Sequence, residues 1–178
     1  FDETELSNFL NQKRILITGA AGSIGSELSR QIAGFNPFSL LLLDQDETGI
    51  FNISEELKDR FPKLAVLPRV ADILDGKKME QIFSAFLPQV VFHAAAYKHV
   101  PLMANNPDEA VKNNILGTEV LAKTALRCGT EKFIFISTDK AIKPASVMGA
   151  TKRIGEMICQ LCNGINQTKF ISVRFGNV

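Results

Sequence analysis

Two stretches of the 178-residue sequence set chemically useful residue types at short, regular intervals. The first, Thr18-Gly19-Ala20-Ala21-Gly22-Ser23-Ile24-Gly25, spaces three glycines at intervals of three. Backbone free of side chains lets an anion come close to peptide N–H groups, a common way of holding phosphate. The second, Ser137-Thr138-Asp139-Lys140, places two hydroxyls, a carboxyl and an amine in consecutive positions. An acid beside a base is what a proton-transfer reaction needs, and the same charged run also suits a solvated loop. Further along, Met148 and Lys152 lie four residues apart, one turn on the same face of a helix. A lone helical Lys is more often a surface charge.

These residues can act together only if the chain brings them to one place. Short, branched apolar runs at 15–18, 40–43, 65–70, 90–93, 133–137 and 170–173 read as strands covered on both faces. Helical patterns lie between them near 24–34, 47–60, 75–87, 107–128 and 147–164. Asn106-Pro107-Asp108-Glu109 has the form of a helix start, with a capping side chain, Pro in the first turn and acids at the positive dipole end. Strand and helix in alternation predict an α/β fold, a three-layer, doubly wound parallel sheet of Rossmann type with right-handed crossovers. Residues 1–11 form a short amphipathic lead-in, and 12–178 the nucleotide-binding domain. The glycine loop then falls between the first strand and the first helix, the context that gives such a loop meaning. Gly19 suits the tight turn, Gly22 the approach of a pyrophosphate, and Gly25 close packing of helix on sheet. Ala21, Ser23 and Ile24 complete the cradle.

Asp44 ends the second strand, nineteen residues beyond Gly25. A carboxylate there can accept the ribose hydroxyls of NAD and repels the extra phosphate of NADP. No Lys or Arg stands between Leu40 and Leu57 to receive that phosphate, so NAD is the expected cofactor. Asp72, next to Ile73, is placed either at the adenine edge or as the cap of the 75–87 helix. Ala94, Ala95 and Ala96 follow the fourth strand and leave room for a cofactor beside the backbone.

Composition narrows the class. Apolar residues make up 46% and charged residues 22%, with a net charge of +1. These values suit a globular domain and provide no basic field for nucleic acid. No apolar run approaches the length of a membrane span, so no membrane contact is expected from these residues. Three cysteines, an odd number, favour a reducing, cytoplasmic setting. Cys159 and Cys162 form a C-x-x-C, which reads as redox or metal chemistry or as two small apolar residues on a buried helix face. No second Cys/His cluster completes a site, and no metal is expected.

The Gly-x-x-Gly-x-x-Gly spacing resembles the extended short-chain dehydrogenase/reductase superfamily. The resemblance sharpens with His93-Ala94-Ala95-Ala96-Tyr97-Lys98-His99-Val100-Pro101, Asn114-Ile115-Leu116-Gly117-Thr118, Ser137-Thr138-Asp139-Lys140-Ala141, Met148-Gly149-Ala150-Thr151-Lys152 and Arg174-Phe175-Gly176-Asn177-Val178. Together these are similar to the polysaccharide-biosynthesis branch, the UDP-N-acetylglucosamine 4,6-dehydratases and their capsule and lipopolysaccharide relatives, from about residue 12 onward. Most of the superfamily has Tyr where this chain has Met148, and a thioether cannot exchange a proton. A subset of the branch shares the Met.

The resemblance implies a redox-neutral lyase that uses NAD and a UDP-sugar. Asp139 would be the acid, Lys140 the base with a lowered pKa, and Thr138 a hydrogen-bonding partner of the sugar near C4. Ser137 would be the superfamily's third catalytic position. Lys152 would bind the nicotinamide ribose, Lys98, His99 and Asn177 would meet the substrate, and Asn114 would tie the active-site backbone together. Tyr97 suits the pocket and a buried aromatic position equally. Family members continue into a substrate-binding portion and many carry a membrane-embedded N-terminal region, so the complete protein is expected to be a homo-oligomer, anchored in the inner membrane if such a region precedes these residues. These residues alone are expected to bind cofactor without turning sugar over. A 4-epimerase and a non-catalytic NAD-binding module are the competing readings.

Overall fold

The computed structural model describes residues 3–176. Six strands, β1 (Arg14–Thr18), β2 (Ser39–Asp44), β3 (Ala65–Val70), β4 (Val90–His93), β5 (Lys132–Thr138) and β6 (Lys169–Phe175), form one sheet in the order β3-β2-β1-β4-β5-β6. Every neighbouring pair is parallel. The order reverses between β1 and β4, and in such sheets ligands bind beyond the carboxyl ends of the strands at that reversal. The doubly wound Rossmann expectation is met.

Alternation along the strands builds two cores. Leu16, Leu41, Leu43, Val91, Phe133 and Phe135 face one side, against Met79, Ile82 and Phe83 of α4 (Gly76–Phe86), Leu121 and Ala125 of α7 (Gly117–Arg127), and Cys159 and Cys162 of α8 (Val147–Cys162). Ile15, Ile17, Leu40, Leu42, Val90 and Ile134 face the other, against Ile32 of α2 (Ser23–Ala33) and Ile50, Ile53 and Leu57 of α3 (Glu47–Arg60). The lead-in is the helix α1 (Glu3–Leu10), whose Leu10 joins the second core. The C-x-x-C therefore lies in the packed interior, where burial pushes the Cys159 thiol up to about 12. Among the described residues, no helix is long and apolar enough to cross a membrane.

Several local expectations are corrected. The helix expected near 107–128 is α6 (Pro107–Val111), a wider π turn over Lys112–Leu116, and α7. The Gly117 N–H donates to the Lys112 carbonyl, five residues back. Asn106 makes no side-chain cap on α6, and its amide donates to the Leu102 carbonyl of α5 (Val100–Asn105), a short helix that the pattern does not reveal. Asp75, not Asp72, caps α4 by accepting from the Lys78 N–H. At the sheet edge, β6 is not covered on both faces: Ile171 and Val173 are 41% and 40% exposed.

Candidate active site

The β1–α2 loop is shaped by its glycines. Gly19 has φ +71°, and a Cβ there would stand 2.5 Å from the Ala95 nitrogen, so the loop lies directly against the start of the β4–α5 segment. A Cβ on Gly25 would overlap the Gly19 carbonyl oxygen. Gly22 precedes α2 in an extended conformation with no side-chain cap, which leaves first-turn N–H groups for a ligand. The Ala21 N–H donates to Asp44 Oδ2 at 3.0 Å, and Asp44 Oδ1 accepts from the Asp46 N–H at 3.1 Å. Each carboxylate oxygen thus accepts one backbone N–H and has capacity for a second donor. Asp72 accepts from the Leu74 N–H in a tight local turn.

The cleft has two lobes that share Ala94 and Ala96. The first, of about 240 Å³, brings together Gly19, Ala21, Gly22, Asp44, Asp72, Ile73 and Ala95 of the expected set, and adds Gln45, Asp46, Tyr97 and Asn113. The second, of about 560 Å³, collects Ser23, Ile24, Lys98, His99, Ser137, Thr138, Lys140, Met148 and Lys152, and adds Phe175 and Gly176. Gly25 lies behind the loop, Asp139 lines neither lobe, and Asn177 lies outside the described residues. Tyr97 sits in the first lobe, where its hydroxyl accepts from the Gln45 amide at 3.3 Å.

At the mouth of β5, Thr138 Oγ1 donates to Asp139 Oδ1 at 2.9 Å, and Lys140 Nζ lies 3.5 Å from the same oxygen. The Thr138 hydrogen bond, aided by the Lys140 charge, holds the Asp139 carboxyl below its ordinary value. A Cβ on Gly149 would stand 2.6 Å from the Lys140 carbonyl, so the first turn of α8 packs tightly on this loop. Met148 is buried there with Met103 and Ala110. Lys152 is also buried, its Nζ 4.2 Å from the centre of the Phe135 ring, and desolvation lowers it to about 8. Lys98 Nζ donates to Ser23 Oγ at 3.1 Å across the top of the cleft.

The supporting frame is polar and enclosed. Asn114 accepts from the Tyr97 and Asn113 nitrogens and donates to the Tyr97 carbonyl and to Thr151 Oγ1. His93 is fully buried between Thr18 Oγ1 (2.8 Å from Nδ1) and Thr118 Oγ1 (2.9 Å from Nε2). Thr118 already donates to the Asn114 carbonyl, so His93 Nε2–H is the donor to Thr118, and Nδ1 accepts from Thr18. Burial, reinforced by the Lys152 charge, lowers His93 to about 3. Glu156, one turn beyond Lys152, accepts from Ser137, Arg153 and Arg174 and is held at about 2, chiefly by Arg174. The sequence reading missed His93 and Glu156 as site residues. A His that ends a strand run before three alanines is a usable signal; Glu156 carries none, since Ser137 and Arg174 reach it from two strands distant in sequence. Among the described residues, no group of three His, Cys, Asp or Glu side chains is placed to share a metal ion.

The chain is 52% identical to the probable polysaccharide biosynthesis protein EpsC of Bacillus subtilis and 47% identical to the capsular polysaccharide biosynthesis protein CapD of Staphylococcus aureus, in each case over 99% of this chain and 30% of the relative. It is 34% identical to an inverting UDP-N-acetylglucosamine 4,6-dehydratase of Campylobacter jejuni, over 94% of this chain and 50% of that one. The chain thus spans between 30% and 50% of the length of these relatives. Among solved structures, Pen from Bacillus thuringiensis superposes with a TM-score of 0.88 at 32% identity, over 96% of this chain and 54% of that one. The Thermotoga maritima UDP-glucose 4-epimerase, solved with UDP-glucose, superposes at 0.78 and 30% identity, over 90% and 54%. The sequence pattern that defines the polysaccharide biosynthesis protein family matches residues 15–178, and the chain belongs to that family, within the extended short-chain dehydrogenases/reductases.

Proposed function

We propose that these residues form the NAD-binding and proton-transfer half of a nucleotide-sugar 4,6-dehydratase, with UDP-N-acetylglucosamine as substrate. The observation that carries this reading is the Asp139–Lys140 pair at the mouth of β5, beside the lobe that holds Lys152, with Met148 where a proton-exchanging Tyr would otherwise stand. A 4-epimerase of this superfamily relies on that Tyr and has no need of the acid–amine pair.

The cleft fits NAD. Gly19 and Gly25 let the loop pack against the backbone of Ala94, Ala95 and its own turn, and the uncapped start of α2 at Gly22 leaves N–H groups for a phosphate. Asp44, Asp46 and Asp72 line the first lobe, with no Lys or Arg among its lining residues. When bound there, NAD would supply reversible storage of a hydride for a redox-neutral reaction. The protein side chains do the rest. Once the ion-pair proton has passed from Lys140 to the Asp139 carboxylate 3.5 Å away, Lys140 takes the C5 proton, Asp139 protonates the departing C6 hydroxyl, and Thr138, bonded to Asp139, holds the sugar hydroxyl near C4. Lys152 donates to the nicotinamide ribose. Lys98 and His99 reach the sugar nucleotide at the open side, and a homo-oligomeric assembly of the full-length protein belongs to the same proposal.

The direct test uses the full-length protein and UDP-N-acetylglucosamine carrying deuterium at C4. The label is expected at C6 of a 4-keto-6-deoxy product, with no net release of reduced cofactor. Label appearing in solvent, or a product that keeps its C6 hydroxyl, overturns the reading. Cofactor choice gives a second expected result. Calorimetric titration should show NAD+ binding more tightly than NADP+, and Asp44→Ala should narrow the gap, since it removes the repulsion of the 2′-phosphate together with the ribose hydrogen bonds. Equal affinities in the unmodified protein defeat this assignment.

A further inference from the structure

Glu156 is buried, with its side chain 7% exposed, yet it faces no cofactor or substrate lobe. Its carboxylate is fully engaged. Oε1 accepts from Ser137 Oγ at 2.6 Å and from Arg174 Nε at 2.7 Å; Oε2 accepts from Arg174 Nη2 at 2.6 Å and from Arg153 Nη1 at 3.0 Å. Two of these partners are register mates. Ser137 on β5 lies opposite Arg174 on β6, and Thr138 lies opposite Phe175. Ser137 immediately precedes the Thr138-Asp139-Lys140 run, and Arg174 immediately precedes Phe175 and Gly176, which line the same lobe as Thr138 and Lys140. A Cβ on Gly176 would lie 3.7 Å from Asp139 Oδ2. Glu156 itself sits one turn beyond Lys152 on α8, so one carboxylate joins the helix that carries Lys152 to the ends of the two strands that carry the acid–amine loop and its opposite wall.

We infer that Glu156 is a positioning residue: it bolts the mouths of β5 and β6 to α8, and so fixes Thr138, Asp139 and Lys140 relative to Lys152. A bidentate Arg–carboxylate pair is rigid in two directions, and Glu156 uses it on the strand adjacent to the reacting loop. The same contact redefines Ser137. Its hydroxyl proton is committed to Glu156, so it can offer a sugar hydroxyl only an acceptor. The inference rests on the reading of Asp139 and Lys140 as the proton-transfer pair, and not on the identity of the sugar.

The test is made in the full-length protein, on whichever nucleotide sugar the unmodified enzyme converts, so that failure with UDP-N-acetylglucosamine alone counts against the substrate assignment and leaves this inference standing. Glu156→Gln keeps an acceptor for Ser137 but loses the charge that grips Arg174. It is expected to lower kcat about 10²-fold, the usual effect of a misplacement near 1 Å, with NAD affinity retained and the limbs of the pH–rate profile unmoved. In the NMR spectrum, the Arg174 Nε–H should lose its protection from exchange. Arg153→Ala, which removes a partner 46% exposed, should leave kcat as it is. An unchanged kcat in Glu156→Gln overturns the inference. So does a fall in NAD affinity matching the fall in kcat, which marks general loss of structure, and so does a shifted pH limb, which makes Glu156 a proton carrier. Should Glu156→Gln not fold, Arg174→Lys keeps the positive charge without spanning both oxygens. A reduced kcat with retained NAD affinity there supports the inference, and an unaltered kcat overturns it.

Discussion

Replacing Lys140 with Ala in the full-length enzyme is expected to abolish exchange of the C5 proton and to slow turnover by about 10²–10⁴, the range for removal of a general acid or base. Asp139→Asn should cost a comparable factor at a different step, because an amide cannot protonate the departing C6 hydroxyl. The geometry explains why the two losses should be separable. Lys140 lines the larger lobe, whereas Asp139 does not and is linked to it through the Thr138 hydroxyl. Single-turnover experiments with C5-deuterated substrate distinguish them: label wash-out disappears in Lys140→Ala and persists in Asp139→Asn. Met148→Ala is the contrast. Met148 is 4% exposed and packs on Met103 and Ala110, so its truncation should lower stability by about 2–5 kcal/mol, as for other buried large-to-small changes, and leave proton transfer in place. If the folded Met148→Ala enzyme were as slow as Lys140→Ala, the assignment of roles would be wrong.

The second large effect is on stability in mild acid. His93 is fully buried as the neutral Nε2–H tautomer, at about 3 in the folded protein against an ordinary value near 6.5. Its folded pKa is the lower of the two, so the unfolded chain binds a proton that the folded chain refuses. Stability is therefore full above about pH 6.5 and falls as pH drops toward 3, by about 1.4 kcal/mol per pH unit. Glu156 has the opposite chemistry and a later window. Its carboxylate is at about 2 when folded against 4.5, so its contribution is present above 4.5 and lost between 4.5 and 2. Urea midpoints between pH 6.5 and 5 thus report on His93 before Glu156 titrates. Midpoints are expected to fall with pH in this interval, and His93→Asn, which retains hydrogen-bonding capacity toward Thr18 and Thr118 without a titrating ring, should flatten the slope. A flat profile in the unmodified chain, or the same slope in the variant, contradicts this account.

What could be read in the sequence divides by the distance over which the signal acts. The strands and most helices follow from local apolar periodicity, and 47–60 and 65–70 coincide with the observed elements. The glycine loop is legible because Gly19 and Gly25 are demanded by backbone contacts within one turn and with the neighbouring strand. Asp72 shows the limit of spacing: Asp72 and Asp75 are both carboxylates before α4, and only the fold decides that Asp75 caps it. Asn106 shows the same limit: it precedes α6 without capping it, and its amide bonds the preceding helix α5. Glu156 lies beyond local reading altogether. Its role depends on register between β5 and β6, which no run of neighbouring residues encodes.

The π turn over Lys112–Leu116 has a geometric consequence for the cleft. In a regular α-helix, consecutive side chains diverge by about 100°, so two adjacent residues cannot both serve one groove well. The wider turn reduces that divergence. Asn113 consequently lines the first lobe while Asn114, the next residue, reaches Tyr97 and Thr151. Seen along the helix axis, the turn works as a one-residue phase shifter. Beyond it, Thr118 Oγ1 meets His93 Nε2 at the end of β4. A chain lacking one residue of this turn would form a better helix and a worse cleft, because Asn113 could no longer line the lobe while Asn114 keeps its bonds to Tyr97 and Thr151.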